Sequence, residues 1–168
     1  MKISMYQASV PVFIRQLGAL AAILEKAAAH AEAHRIDAAV LLASRLYPDM
    51  LPFVKQVQIA TDHAKGAAAR LAGQEPPKYE DTEASFGELA ARIRKTVDYL
   101  GSVPAGAIDG SDERAVSLTI RGKTLDFKGA EYLLQYALPN FYFHLTTAYA
   151  ILRHDGIVIG KKDFLGAT

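Results

Sequence analysis

The stretch from Ala130 to His154 constrains the fold most, because at helical spacing it is apolar on nearly every side. Leu133, Leu134, Tyr136, Leu138, Phe141, Phe143, Leu145, Tyr149, Ile151 and Leu152 leave no broad polar face. A helix of that kind needs neighbours on several sides. Three other stretches offer the matching stripes. The first starts after Ser4, a capping residue, and runs Tyr6, Val10, Phe13, Leu17, Leu20 and Leu24, with Pro11 expected to bend it and an Ala-rich end expected to fray by Ala33. The second carries Met50, Val54, Val57, Thr61, Ala64, Ala68 and Leu71, opens at Pro48 or Pro52, and stops at Gly73. The third has Thr82 as its cap, turns Phe86, Leu89, Ile93, Val97 and Leu100 inward, and ends at Gly101.

Between the first two lies a short helical segment, Asp37 to Leu46, and a turn at Tyr47-Pro48-Asp49, where Arg45 and Asp49 are placed to pair. Between the third and the last the period changes from helical to alternating. Val116, Leu118 and Ile120, a turn at Arg121 to Thr124, then Leu125 and Phe127 read as a small β-hairpin. The pattern predicts an all-α four-helix bundle with a β-hairpin insertion before the last helix, formed by one domain over 1–168. The tail is expected to pack Ile157, Val158, Phe164 and Leu165 back onto the bundle or onto a partner.

Composition narrows the function classes. Nineteen Lys and Arg against eighteen Asp and Glu give a net charge of +1, with no basic stripe, so a nucleic-acid partner is not expected. The apolar run Leu17–Leu24 is too short to span a bilayer, so no membrane span is expected either. The absence of cysteine removes thiolate ligands and points to the cytoplasm. Any metal must then be held by His, Asp, Glu or amide oxygen.

Within the apolar last helix, Asn140 and His144 lie four apart on one face, so each needs a polar partner or a ligand. Either a metal site or a closed hydrogen-bond pair satisfies them. Asp62 and His63 on the second long helix can supply a further ligand or a base, yet they sit on opposite flanks of its apolar stripe, where solvation explains them equally well. Tyr136 and Tyr149 are possible polar handles. His30 and His34 are also four apart, but in an Ala/Glu stretch near a helix C-terminus that favours imidazolium without a ligand. Glu80, Asp81 and Glu83 fit the positive end of a helix dipole. No P-loop, dinucleotide glycine fingerprint, EF-hand or serine-hydrolase elbow occurs.

The string PNFYFHLTTAYAILRHDG followed by IGKKDFLG, with ASVPVFIRQL, LLASRLYPDMLPFVKQVQIATD and PKYEDTEASF upstream, resembles a bacterial domain family of unknown function in the DinB/YfiT-like superfamily of metalloenzymes. The resemblance covers nearly the whole chain. It implies a four-helix bundle, often dimeric, in which one His of the second long helix and an H-x-x-x-H on the last helix hold a divalent metal. His144 matches the second His of that motif and Asn140 replaces the first; the remaining ligand falls at Asp62 or His63. The cofactor implied is a weakly held divalent metal (Zn, Ni, Mn or Fe), and the partners a small molecule and a second copy of the chain. The alternative is a metal-free dimeric binding or structural protein whose His144 and Asn140 bond to each other. No reaction is implied.

Overall fold

The computed structural model describes residues 3–120 and 122–166. Four long helices carry it. Helix α1 is Val10–His34, α3 Phe53–Leu71, α4 Phe86–Ser102 and α7 Leu138–His154. Shorter helices lie between them and after them: α2 (Ala38–Ala43), α5 (Ala105–Ile108), α6 (Gly129–Glu131) and α8 (Lys161–Leu165). Around the bundle α1 packs on α4, α4 on α3, and α3 most extensively on α7, while α8 folds back on α1. The hairpin pairs β1 (Ala115–Ile120) with β2 (Lys123–Lys128) in antiparallel register, Val116 opposite Phe127 and Leu118 opposite Leu125. Gly122 takes the positive φ of 76° in the two-residue connection. Arg121 of the expected turn lies outside the described residues.

Several local expectations are corrected. Residues from Ser4 to Ser9 form turns, and the helix proper starts at Val10, which puts Pro11 in its first turn rather than its interior. There the missing N–H is one that would be unpaired anyway, so Pro11 starts the helix instead of bending it. The far end does not fray. Ala27 and Ala31 are buried, and Arg35, at φ 55°, closes the helix with its N–H on Ala31 and Glu32 carbonyls. Helix α4 is capped by Ser85, whose Oγ accepts from Glu88 N–H at 3.1 Å, not by Thr82, and it runs through Gly101 to Ser102. Arg45 donates to the Met50 carbonyl instead of pairing with Asp49.

The expected last helix is interrupted. Tyr132–Ala137 winds as a π-helix between α6 and α7, and Leu138 N–H reaches back five residues to the Leu133 carbonyl. Pro139, which lacks an N–H, lies at the start of α7 where this segment ends. One edge of the helix is uncovered: Leu134 is 59% exposed and Phe143 55%. In the tail, Ile157 and Ile159 are buried and Phe164 meets the Tyr149 ring edge-on at 5.7 Å. Val158 faces out, because the chain there is extended and only alternate residues can turn inward, and Leu165 at the end of α8 is also exposed.

The core runs along the inner faces of all four long helices, with Phe13 edge-on to Phe141 at 4.9 Å. Where the last helix leaves the hairpin, a Cβ built on Gly129 overlaps the Ser111 carbonyl oxygen. We expect Gly129→Ala to destabilise the fold by at least about 1–3 kcal/mol, since a backbone atom cannot swing aside. Urea denaturation against the parent chain measures this.

Candidate functional site

Helix α3 presents two different surfaces to its neighbours. Ala60, Ala64, Ala67 and Ala68 are fully buried and small, which brings its backbone close to the packed helices. Beside them runs a polar line at sevenfold spacing, Gln56, His63 and Arg70, along the side that meets the last helix.

Gln56 orders the first part of the site. It is 1% exposed, and its Nε2 donates to the Leu51 carbonyl at 2.9 Å, which fixes the orientation of the carboxamide. Its Oε1 therefore faces His144 Nδ1, 2.7 Å away. A carboxamide oxygen can only accept, so Nδ1 carries the proton and the neutral ring keeps its lone pair on Nε2. His63 lies alongside, with ring centroids 5.8 Å apart and planes within 16°. The Tyr136 ring meets His63 at 5.8 Å and 60°. Neither nitrogen of His63 has a hydrogen-bond partner among the described residues.

Both imidazoles are held neutral at pH 7. Burial pushes His63 down to about 4, helped by His144 and Arg70 and opposed by Asp62. Burial also lowers His144. Neutral, unprotonated imidazole nitrogen is the form that accepts protons and binds metals.

The expected site residues separate into two groups. His63 and His144 come together. Asn140 lies one turn before His144, where its Nδ2 donates to the Tyr136 carbonyl at 2.7 Å and its Oδ1 has no donor among the described residues. Asp62 is engaged by cations instead, accepting from Lys65 and Arg92, each at 2.9 Å. Tyr149 packs against the tail, away from the histidines. His30 and His34 stack on each other at 4.1 Å at the end of α1. No group of three or more His, Asp or Glu side chains among the described residues is arranged to hold a metal.

The acidic run has a role the helix dipole does not supply. Arg92, 4% exposed, donates to Thr61 Oγ1 at 2.8 Å, to the Glu80 carbonyl and Glu83 Oε1 at 3.1 Å, and to Asp62. Asp81 completes the ring of counter-charges at 3.1 Å, and the Tyr79 ring covers the guanidinium. The loop 74–84 is thereby bound to α3 and α4 by a buried cation. Nothing in a single Arg at helical spacing distinguishes it from a surface residue.

A cleft of about 540 Å³ opens over the C-terminal half of α3. His63, Arg70, Tyr136, Arg114 and strand β1 line it, with Gly73 to Pro76 at its rim. Gln56, Arg70 and Arg114 escaped the sequence reading; the seven-residue spacing of Gln56, His63 and Arg70 was the available signal.

Comparison with known proteins agrees with this architecture. Residues 5–165 match the family model described as a domain of unknown function, DUF1993. The chain is similar to a DinB family member protein from Shewanella denitrificans, whose crystal structure at 1.83 Å superposes with a TM-score of 0.87. The two are 42% identical over 97% of this chain and 92% of the other. No curated protein matches. No helix among the described residues is long and apolar enough to cross a membrane.

Two measurements test the electrostatics. His63 titrates near 6.5 in an unfolded chain and at about 4 when folded, so between those values the unfolded state holds more protons. Its contribution, about 3 kcal/mol, is present above pH 6.5 and is lost as pH falls toward 4. Urea midpoints of the parent should drop over that window, and those of His63→Gln should drop less. Separately, Arg92→Met leaves Glu83 without its cation and should cost about 3 kcal/mol, measured in the same way at pH 7.

Proposed function

We propose, for a chain that belongs to the DUF1993 family and has the DinB-like fold, that His63 and His144 bind a divalent cation weakly and that a small molecule reaches them through the cleft. One observation carries this reading: two neutral imidazoles lie face to face, one of them with its Nδ1–H fixed by Gln56 so that Nε2 is free. That arrangement is how proteins orient a metal-binding histidine. The ring centroids are 5.8 Å apart with planes within 16°; each lone pair lies in its own ring plane, so one ring turns out of the stack when both nitrogens reach one ion at about 2.0–2.1 Å.

The rest of the donor set explains why binding is weak. Asn140 offers an amide oxygen in place of an imidazole, and Asp62 is committed to Arg92 and Lys65. A borderline ion such as Zn or Ni suits nitrogen donors better than Mn. When bound, such an ion supplies Lewis acidity toward a substrate oxygen. The chain's own groups do the remainder: the Gln56 bond holds His144 in one tautomer, and Tyr136 forms a wall against the His63 ring.

A metal-free homodimeric binding protein is the second reading. It is favoured by the bond between the Asn140 amide and the Tyr136 carbonyl, which satisfies that group without an ion, and by the apolar surface left at Leu134 and Phe143.

Thermal melts of chelator-treated protein with added Zn, Ni, Mn or Fe, beside elemental analysis and mass measurement at micromolar concentration, separate the two. A cation at a hundred times its Kd should stabilise the folded state by about 2.7 kcal/mol, and His144→Ala should abolish the shift. Absence of stabilisation by all four ions overturns the metal reading. A monomeric mass overturns the dimer.

A further inference from the structure

The cleft holds more positive charge than its neighbours neutralise. Arg70 and Arg114 both line it, and neither has a carboxylate partner among the described residues. Each guanidinium is instead held by a single neutral acceptor: Arg70 Nη1 donates to the Tyr132 hydroxyl at 3.1 Å, and Arg114 Nη1 to the Leu71 carbonyl at 2.5 Å. A guanidinium has five N–H donors, so both keep most of theirs available. Two carboxylates also line the cleft. Asp62 is already shared by Lys65 and Arg92, and Glu75 is exposed at the rim.

The helix is shaped to receive these groups. His63, Gly66 and Arg70 follow one another at spacings of three and four, a single stripe of α3, and Gly73 lies just past the end of that helix. The two glycines lie beneath the guanidiniums. A Cβ on Gly66 would stand 2.5 Å from Arg70 Nη1, and one on Gly73 would stand 2.9 Å from Arg114 Nη1. Gly73 also needs its positive φ of 72°, but Gly66 is in mid-helix, where glycine costs stability and only the space it leaves accounts for it. β1 also borders this space, and among the described residues no third strand covers its outer edge, so its unpaired backbone groups face the cleft side.

We propose that this cleft binds a small molecule through an oxyanion, carboxylate or phosphate, clamped between Arg70 and Arg114 and presented toward His63. Planar oxyanions match the guanidinium fork in pairs of parallel hydrogen bonds. The site names the substrate class for the cleft in the proposed function, on which its catalytic relevance rests. The anion contacts themselves depend on the guanidiniums and not on any cation at the imidazoles.

The experiment is therefore run on chelator-treated protein, where failure of the metal reading leaves it unaffected. Isothermal titration with inorganic phosphate and with succinate, against chloride at equal ionic strength, should show saturable 1:1 binding of at least one probe; the two arms distinguish phosphate from carboxylate. Arg70→Gln and Arg114→Gln should each weaken that binding at least tenfold, and Arg45→Gln, on the turn before α3, should not. Because Arg70→Gln also removes the bond to Tyr132, Gly66→Ala provides a second route: it keeps both charges, displaces the Arg70 guanidinium, and should weaken binding in a protein whose melt shows it folded. No saturable binding of either probe, or binding that both arginine substitutions leave unchanged, overturns the proposal.

Discussion

The close packing of α3 on α7 is the interaction on which the rest depends. Alanines at 60, 64, 67 and 68 give α3 a smooth buried face, and larger groups on the facing helix, Phe141, Leu145 and Leu152 among them, fill the core. With the backbones close, Gln56 in the polar line beside that face is shut off from bulk water and His63 is only partly exposed. Gln56 and His63 therefore lie against His144, and desolvation acts on both imidazoles at once. A bulkier interface would separate the rings and let each be solvated.

Two arginines on neighbouring helices illustrate how differently one side chain is used. Arg92 is buried, contacts three carboxylates, and binds a long loop to α3 and α4. Arg70 is half-buried, contacts a phenol, and borders open space. The first is saturated and serves the fold; its removal leaves charges without a partner. The second keeps donors in reserve, which is the arrangement expected at a binding surface rather than in a core. The hairpin contributes by position: β1 lines the cleft beside α3, and the π-helical segment that follows carries Tyr136 to the same cleft and Tyr132 to the Arg70 guanidinium.

Legibility in the sequence divided along physical lines. Element type followed from period, since apolar spacing of three and four or of two reports which face meets a core. The cap at Ser85 was legible in principle, because Ser85 and Glu88 stand three apart, yet Thr82 offered a similar hydroxyl one turn earlier. The π-helix was not legible: its hydrogen bonds differ by one residue from those of an α-helix and leave the apolar pattern intact. Asn140 and His144 were conspicuous as polar groups in an apolar helix. Their partners were not, since Gln56 is 88 residues from His144 and Asp62 and His63 are adjacent in the chain.

The sequence by itself determined the four long helices, the hairpin before the last of them, and the presence of an imidazole and a carboxamide on one interior face, because each is a consequence of periodicity within a single segment. Only the tertiary structure decided that His63 meets His144 while Asp62 turns to Arg92, that Gln56 sets the tautomer, and that Arg70 and Arg114 share one cleft. Adjacent helical residues diverge by about 100°, so which of them enters a site depends on what the neighbouring helix places there, and that is a property of the assembled bundle.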